Sequence, residues 1–233
     1  MALPNNCPLC YSGLSHQSVV TSHVYGQDQG RGHAFFHCQS CDIFYQYPRL
    51  NQNEETQFYA KEFEKFMEAR AGESSGWQKA KSHVSTNEGT RLRRMKYMMP
   101  YLKENISLLE VGCSSGFMLY PLEKMGNHCV GVEPSGVFSD FVKNNNLTVY
   151  NSVEQLVDKK PKIKFDLIMH FFVLEHIADP LSFLSKQLSL LKTNGKIIFE
   201  IPNVADPLYS IYDIPDFERF YWSLAHPWYF SQQ

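Results

Sequence analysis

Leu108-Leu109-Glu110-Val111-Gly112-Cys113-Ser114-Ser115-Gly116 runs from apolar residues into an acidic side chain and then into two glycines four positions apart. The pattern predicts a buried strand feeding a tight turn and then a helix. Glycine suits such a turn because, without a Cβ, it takes unusual dihedrals and lets another molecule lie against the backbone. Read alone, the stretch also fits a turn that binds nothing.

Working outward, strand and helix patterns alternate. A helix to about Met125 is closed by Gly126 and carries Pro121, which predicts a bend or an irregular first turn. Cys129–Val132 reads as a second strand, and Ser135 as the cap of a helix with Val137, Phe138, Phe141 and Val142 facing inward. Further strands are expected at Leu147–Tyr150, Phe165–Met169 and Lys196–Ile201. Before the last, Asp179 caps a helix with Pro180 first and Leu181, Leu184, Leu188 and Leu191 inward, ended by Asn194-Gly195. Such alternation predicts an α/β fold: a Rossmann-like parallel sheet with helices on both faces, whose ligands bind beyond the carboxyl ends of the strands.

Ahead of this domain, Cys7-Pro8-Leu9-Cys10 and Cys38-Gln39-Ser40-Cys41 form two knuckles. Two residues between thiols let both sulfurs face one centre, so Cys7, Cys10, Cys38 and Cys41 are the expected ligands of a structural Zn²⁺ in a small zinc-ribbon-like module. Short strands are expected at Phe35–His37 and Ile43–Tyr45, while His16, His23, His33 and His37 read as surface residues. Residues 1–50 are then a zinc-binding module, 51–106 a helical linker or lid, and 107–233 the sheet domain. In the linker, Phe58, Phe63, Phe66 and Met67 offer one apolar face, and residues 71–85 read as a loop. A second helix from Thr90 to Leu102 carries Leu92, Met95, Met98 and Met99 on one side.

A formal charge of −2 excludes a global basic field, so neither nucleic acid nor membrane is expected as a partner. The run Arg91, Arg93, Arg94, Lys96 reads as a solvated helix face. With no leader at Met1–Pro8 and no apolar run long enough to span a bilayer, a cytoplasmic protein is expected.

The strand ends gather the candidate chemistry. Glu133 closes the second strand in Gly-Val-Glu-Pro, where an acid can accept both hydroxyls of a ribose. Together, Leu-Leu-Glu-Val-Gly-Cys-Ser-Ser-Gly-Phe, Val-Gly-Val-Glu-Pro-Ser, Phe-Asp-Leu-Ile-Met-His-Phe-Phe-Val-Leu-Glu-His-Ile-Ala-Asp-Pro and Asn-Gly-Lys-Ile-Ile-Phe-Glu-Ile-Pro-Asn resemble the successive motifs of class I S-adenosylmethionine-dependent methyltransferases. The cysteine module is similar to the zinc-binding segment of bacterial methyltransferases of sugar and surface-polysaccharide pathways, deoxysugar C-methyltransferases among them.

The resemblance implies S-adenosylmethionine as cofactor. It places the methionine part on the turn of Glu110, Gly112, Cys113 and Gly116, the ribose on Glu133 beside Pro134, and the adenine among Ser152, Val153, His170 and Phe171. Ser114 and Ser152 stand where the family often has glycine and aspartate. The methyl acceptor is expected to be a small polar molecule such as a sugar nucleotide, with His176 and His226 as candidate bases. The sugar C-methylating relatives have a Glu-His pair where this chain reads Ala225-His226, which leaves oxygen methylation open.

The family usually closes its sheet with further strands, and the tail after Ile201 lacks clear strand runs. An incomplete sheet edge is therefore expected, and with it a homo-oligomer formed through that edge. Two other functions fit parts of the pattern. One is a non-catalytic cofactor-binding scaffold. The other is a nicotinamide oxidoreductase, against which the glycine spacing speaks.

Overall fold

In the computed structural model, the described residues are 3–26, 32–50, 54, 58, 80–212, 214 and 221–231. Along the chain lie strands β1 (Gln17–Thr21), β2 (Ala34–Cys38) and β3 (Ile43–Tyr47), then helices α1 (Ala80–Thr86) and α2 (Glu88–Met98). Next come β4 (Ser107–Val111), α3 (Leu119–Lys124), β5 (His128–Val132), α4 (Gly136–Asn144), β6 (Thr148–Tyr150), α5 (Val153–Lys159) and β7 (Phe165–Phe171). The chain closes with α6 (Pro180–Leu190), β8 (Leu191–Glu200), α7 (Pro207–Ser210) and β9 (Trp228–Tyr229).

The chain divides into two compact units that are not contiguous in sequence. The first comprises Met1–Ala71, Leu174–Pro180 and Ile201–Gln233, the second Gly72–Val173 and Leu181–Glu200. This differs from boundaries at residues 50 and 106. The tail joins the cysteine module because β9 pairs antiparallel with β3, Phe44 opposite Tyr229 and Tyr45 opposite Trp228. Most of residues 51–79, including Phe63, Phe66 and Met67, lie outside the described residues.

The second unit carries the parallel sheet in the order β6-β5-β4-β7-β8. Its strand order reverses between β4 and β7, which places the glycine turn at the switch point where such sheets take ligands. Two apolar layers cover the faces. One is built on Met98, Leu108, Met118, Leu119 and Leu122, the other on Leu109, Leu156, Phe165 and Ile168.

Several expectations change. Pro121 is the third residue of α3, where a missing N–H breaks no intrahelical bond. In α4, Phe138 and Val142 are buried but Val137 is exposed, and in α6 Leu181 and Leu188 face outward while Gln187 and Leu190 face in. Leu92 and Met99 of the methionine stripe are likewise exposed, and Met98 is in the core. β8 starts at Leu191, and Lys192–Gly195 bulge outward before pairing with β7 resumes at Lys196. No strand from the tail adds to this sheet among the described residues, so β8 is its edge.

In the first unit, Ala34, Phe36, Ile43, Tyr45 and Trp228 form the core beside the cysteines. A second cluster of Phe35, Tyr221, Trp222 and Tyr229 packs with rings 4.7–5.5 Å apart. His33 is not a surface residue. It is buried with Nδ1 2.7 Å from the Pro48 carbonyl, and His37 pairs with Asp42.

Candidate functional site

The turn of the second unit is held almost wholly by its own backbone. The N–H groups of Gly112 and Cys113 both donate to the Val132 carbonyl, at 2.8 and 3.1 Å. Ser114 N–H donates to Glu133 Oε2 at 2.7 Å, Ser115 N–H to Ser114 Oγ at 2.6 Å, and Gly116 N–H to the Cys113 carbonyl at 2.8 Å. Five successive donors are thus consumed internally. A nucleotide pyrophosphate depends on such donors, and these five are already used.

The acidic groups beside it point the same way. Glu110 and Glu133 are 2% and 6% exposed, and Glu110 Oε2 meets no hydrogen-bond partner among the described residues. Burial pushes the Glu110 carboxyl well above the usual range, with Arg94 opposing and Glu133 adding to the shift. Burial also raises Glu133, against the pull of the Ser135 and Ser114 N–H groups. Two dehydrated carboxyls beside a turn with no free N–H suit a cation with hydroxyl groups.

Sterics fix the cradle. Gly112 has φ +73°, and a Cβ there would stand 2.6 Å from Val173 Cγ2. A Cβ on Gly131 would meet Cys113 Sγ at 2.6 Å, so the turn seats on β5 only because residue 131 has no side chain. Cys113 itself is buried, and burial together with Glu110 and Glu133 keeps it a thiol. Only its backbone borders the cradle. Ser114 takes φ +48°, the conformation a glycine would adopt freely.

The remaining predicted residues divide. Glu133 N–H donates to the Tyr150 carbonyl, which aligns the ends of β5 and β6, and Pro134 follows exposed. Ser152 is committed to capping α5: its Oγ accepts from Gln155 N–H at 3.1 Å while Gln155 Oε1 accepts from Asn151 N–H at 2.7 Å. The Val153 side chain lies in the core, leaving its backbone at the sheet end. His170 does not line the site with its ring. The ring is fully buried, stacked on Phe199 at 5.1 Å and edge-on to Phe183, because β7 alternation turns residue 170 toward α6. Phe171, on the opposite face, is half-buried beneath the Arg94 guanidinium at 4.2 Å.

Burial lowers the His170 pKa to about 4. The unfolded chain therefore binds the extra proton first, and stability falls as pH drops from about 6.5 toward 4, by about 3 kcal/mol. Across that range the melting temperature of the parent should fall relative to that of His170→Phe toward the acid end, since the variant lacks this loss.

Two residues of this site escaped the sequence reading. Arg94 is buried, with Nε 2.7 Å from Glu200 Oε2, and Arg93 bonds the other oxygen at 2.6 Å. Burial raises Glu200, but these two guanidinium groups outweigh it and hold the carboxyl below its ordinary value. Only a partner more than a hundred residues away reveals that role. His83 of α1 places Nδ1 2.9 Å from Ser115 Oγ and packs on Phe117 and Phe138, in a segment whose composition reads as loop.

The first unit holds two clusters. The Sγ atoms of Cys7, Cys10, Cys38 and Cys41 all lie within 4.8 Å of one another, with Cys7–Cys41 at 3.8 Å and Cys10–Cys38 at 3.6 Å. A tetrahedral site with metal–sulfur bonds of about 2.3 Å has edges of about 3.8 Å, so the spacing fits one ion. None of the four is in a disulfide.

The second cluster joins Glu175, His176 and His226. His176 Nδ1 donates to the Ala225 carbonyl at 2.6 Å, which leaves Nε2 as the proton acceptor, 4.0 Å from Glu175 Oε1. The Tyr229 hydroxyl donates to the Tyr221 carbonyl, so His226 Nδ1 donates to Tyr229 Oη at 3.2 Å and also keeps Nε2 as acceptor. The two rings stand edge to face at 4.6 Å. Ala225 contributes a carbonyl rather than an acid. The acid near the histidine pair is Glu175, visible in the sequence only as the neighbour of His176.

The sequence model of a family described as "Methyltransferase domain" matches residues 86–233. Among curated proteins, the chain is similar to the ubiquinone biosynthesis O-methyltransferase of Pelagibacter ubique (strain HTCC1062), 35% identical over 99 residues, which cover 40% of each chain. The enzyme of the same name from Bartonella tribocorum (strain CIP 105476 / IBS 506) is 30% identical over 103 residues, 42% of this chain and 41% of that one. The chain thus spans about 40% of the length of the relatives it matches. Among solved structures, the plantazolicin methyltransferase BpumL in complex with a monoazolic desmethylPZN analog and SAH aligns with a TM-score of 0.50 at 14% identity, over 72% of this chain and 64% of that one. That likeness concerns the fold alone.

Proposed function

We propose, for a chain that belongs to the methyltransferase-domain family, a class I S-adenosylmethionine-dependent methyltransferase acting on a small hydroxylated acceptor. The observation that carries the reading is the cradle after β4, where every turn N–H is consumed and two buried carboxyls remain. That donor set matches the positively charged methionyl part and ribose of the cofactor, and it does not match a dinucleotide. The cofactor, when bound, supplies a methyl group activated as a sulfonium.

In this proposal Glu110, Gly112, Cys113 and Gly116 hold the methionyl part through carboxyl and carbonyl oxygens, and Glu133 accepts the ribose hydroxyls. Glu133 can do so while tied to Ser114 and Ser135 N–H, because a carboxylate has about four acceptor sites. The backbones at Ser152 and Val153 and the ring of Phe171 flank the adenine. His176 takes the acceptor's proton, with Glu175 and His226 positioning it.

The named relatives support an oxygen acceptor. Neither is named for a sugar, so the sugar-nucleotide expectation rests on the cysteine module's resemblance alone. The non-catalytic scaffold was expected from the incomplete sheet edge and from alanine at position 225; Glu175, 4.0 Å from His176, supports the catalytic reading by bringing a carboxyl beside the histidine pair. The cysteine cluster is proposed to hold one structural Zn²⁺. A cytoplasmic location belongs to the same reading, supported by six cysteines free of disulfides. No helix among the described residues is long and apolar enough to cross a membrane.

The test is transfer of labelled methyl from S-adenosylmethionine to nucleotide sugars and to hydroxylated aromatic acids. One of the classes should be methylated, and His176→Ala should lower kcat about 10²- to 10⁴-fold with cofactor affinity unchanged. Cofactor binding without transfer to either class would favour a scaffold. The exposed edge strand β8 supports self-association, and sedimentation giving only monomer at high concentration would count against it.

A further inference from the structure

The second cluster of the first unit gathers more ligand chemistry than one proton transfer uses. Glu175, His176 and His226 each bring one ligand atom, a carboxylate oxygen or an imidazole nitrogen, and these atoms lie within 4.8 Å of one another. His176 Nε2 stands 4.0 Å from Glu175 Oε1. An ion with bonds of about 2.1 Å sets tetrahedral ligands about 3.4 Å apart, so the side chains need to close by only about 1 Å. Small rotations of a ring or a carboxyl supply that.

The surroundings already orient these ligands. His176 Nδ1 donates to the Ala225 carbonyl at 2.6 Å, and His226 Nδ1 donates at 3.2 Å to Tyr229 Oη, whose hydroxyl donates in turn to the Tyr221 carbonyl. Metal-binding histidines give their second N–H to an oxygen in this way, which fixes the tautomer and makes the other nitrogen a better ligand. Glu175 is fully buried and His226 is buried, so charges here interact with little screening by water.

There is also a place for a further ligand. His176 and Gln46 border one recess with room for about one water. Gln46 is 1% exposed, and neither its Oε1 nor its Nε2 meets a hydrogen-bond partner among the described residues. A primary amide dry at both ends keeps its full desolvation cost, part of which a water in the recess relieves. Arg49, fixed by its Nη1 bond to the Ala178 carbonyl at 2.8 Å, lines the same recess, so an oxygen that carries negative charge is favoured there.

We propose that Glu175, His176 and His226 form a second metal site, separate from the four cysteines, for one divalent transition-metal ion whose fourth ligand is a water or hydroxide bonded to Gln46. Two imidazoles and a carboxylate favour Zn²⁺, Co²⁺ or Ni²⁺ over Ca²⁺ and Mg²⁺, which take oxygen ligands. With three protein ligands in place of four thiolates, this ion binds more weakly than the one at the cysteines and leaves on dialysis. The site stands independently of the methyltransferase reading. Ion and proton compete for one lone pair on His176, so the imidazole acts as a base only while the ion is absent.

For the test, the full chain is loaded with Zn²⁺ to fill the cysteine site and then titrated with Co²⁺. One further ion per chain should bind, with visible d–d absorption, no thiolate-to-cobalt charge transfer in the near ultraviolet, and paramagnetically shifted N–H proton signals from two imidazoles. Glu175→Gln and His226→Asn should each weaken this binding at least about tenfold, whereas His23→Asn, at an exposed histidine, should leave it unchanged. Retained zinc and the near-ultraviolet circular dichroism identify variants that keep their fold, and the spectra of the parent need no variant. Absence of a second ion from the parent overturns the site. So does charge transfer that marks the second ion as thiolate-bound, or equal affinity in the parent and the folded variants.

Discussion

Glu133→Gln is expected to weaken S-adenosylmethionine binding about 100-fold, or about 3 kcal/mol, the largest effect of any single substitution in the cradle. Two losses combine. The carboxylate receives Ser114 N–H on one oxygen and Ser135 N–H on the other, at 2.7 and 2.8 Å. An amide keeps one of these and turns an NH₂ toward the other, so the turn loosens where Gly112 and Cys113 hang from Val132. The negative charge proposed to meet the ribose hydroxyls is lost as well. Glu133→Asp, which keeps the charge but shortens the reach, should fall between the parent and the amide. Equal binding by all three would remove Glu133 from the cofactor site.

Removal of the metal is the second large effect. Purified protein should contain one zinc per chain, and Cys38→Ala should lose it. Structural zinc contributes on the order of 10 kcal/mol to folding of small modules. Without it the sheet of β1, β2, β3 and β9 loses the cross-link at its centre, since Cys7 and Cys38 are themselves fully buried in its core. The readout is the near-ultraviolet circular dichroism of the Phe35, Tyr221, Trp222 and Tyr229 cluster, which should collapse with chelator and return with Zn²⁺. A metal-free protein with the full aromatic signal would refute the zinc assignment.

Much of this was legible in the chain because the deciding features are local. Leu108–Gly116 combines an apolar strand with glycines that take φ +73° and +74°, and Pro180 begins its helix as its ring requires. The knuckle spacing brought four thiols together without further information. What failed was nonlocal. Helix faces were misassigned at Val137, Leu181 and Leu188 because leucine and valine occupy exposed positions that periodicity cannot distinguish. Arg94 reads as a solvated charge until Glu200 arrives from β8, and Trp228 and Tyr229 read as a loose tail until β3 offers an edge. His170 was read from its place at a strand end, and β7 buries it by turning that residue to the other face.

The site shows the same division. The pattern places Glu110, Gly112 and Glu133 at the proposed cofactor turn, whereas the consumption of its N–H groups needs coordinates. Glu175 stood next to His176 throughout, yet a carboxylate and an imidazole adjacent in sequence meet only when the backbone turns, as the short helix Leu174–His176 makes it do.

The central claim is that the turn after β4 binds a sulfonium cofactor. Isothermal titration of the zinc-loaded chain with S-adenosylhomocysteine, S-adenosylmethionine and NAD⁺ tests it most directly. One site per chain for each of the first two, with micromolar affinity and no heat from NAD⁺, is the predicted result. Binding of NAD⁺ at that site, or of none of the three, would contradict it.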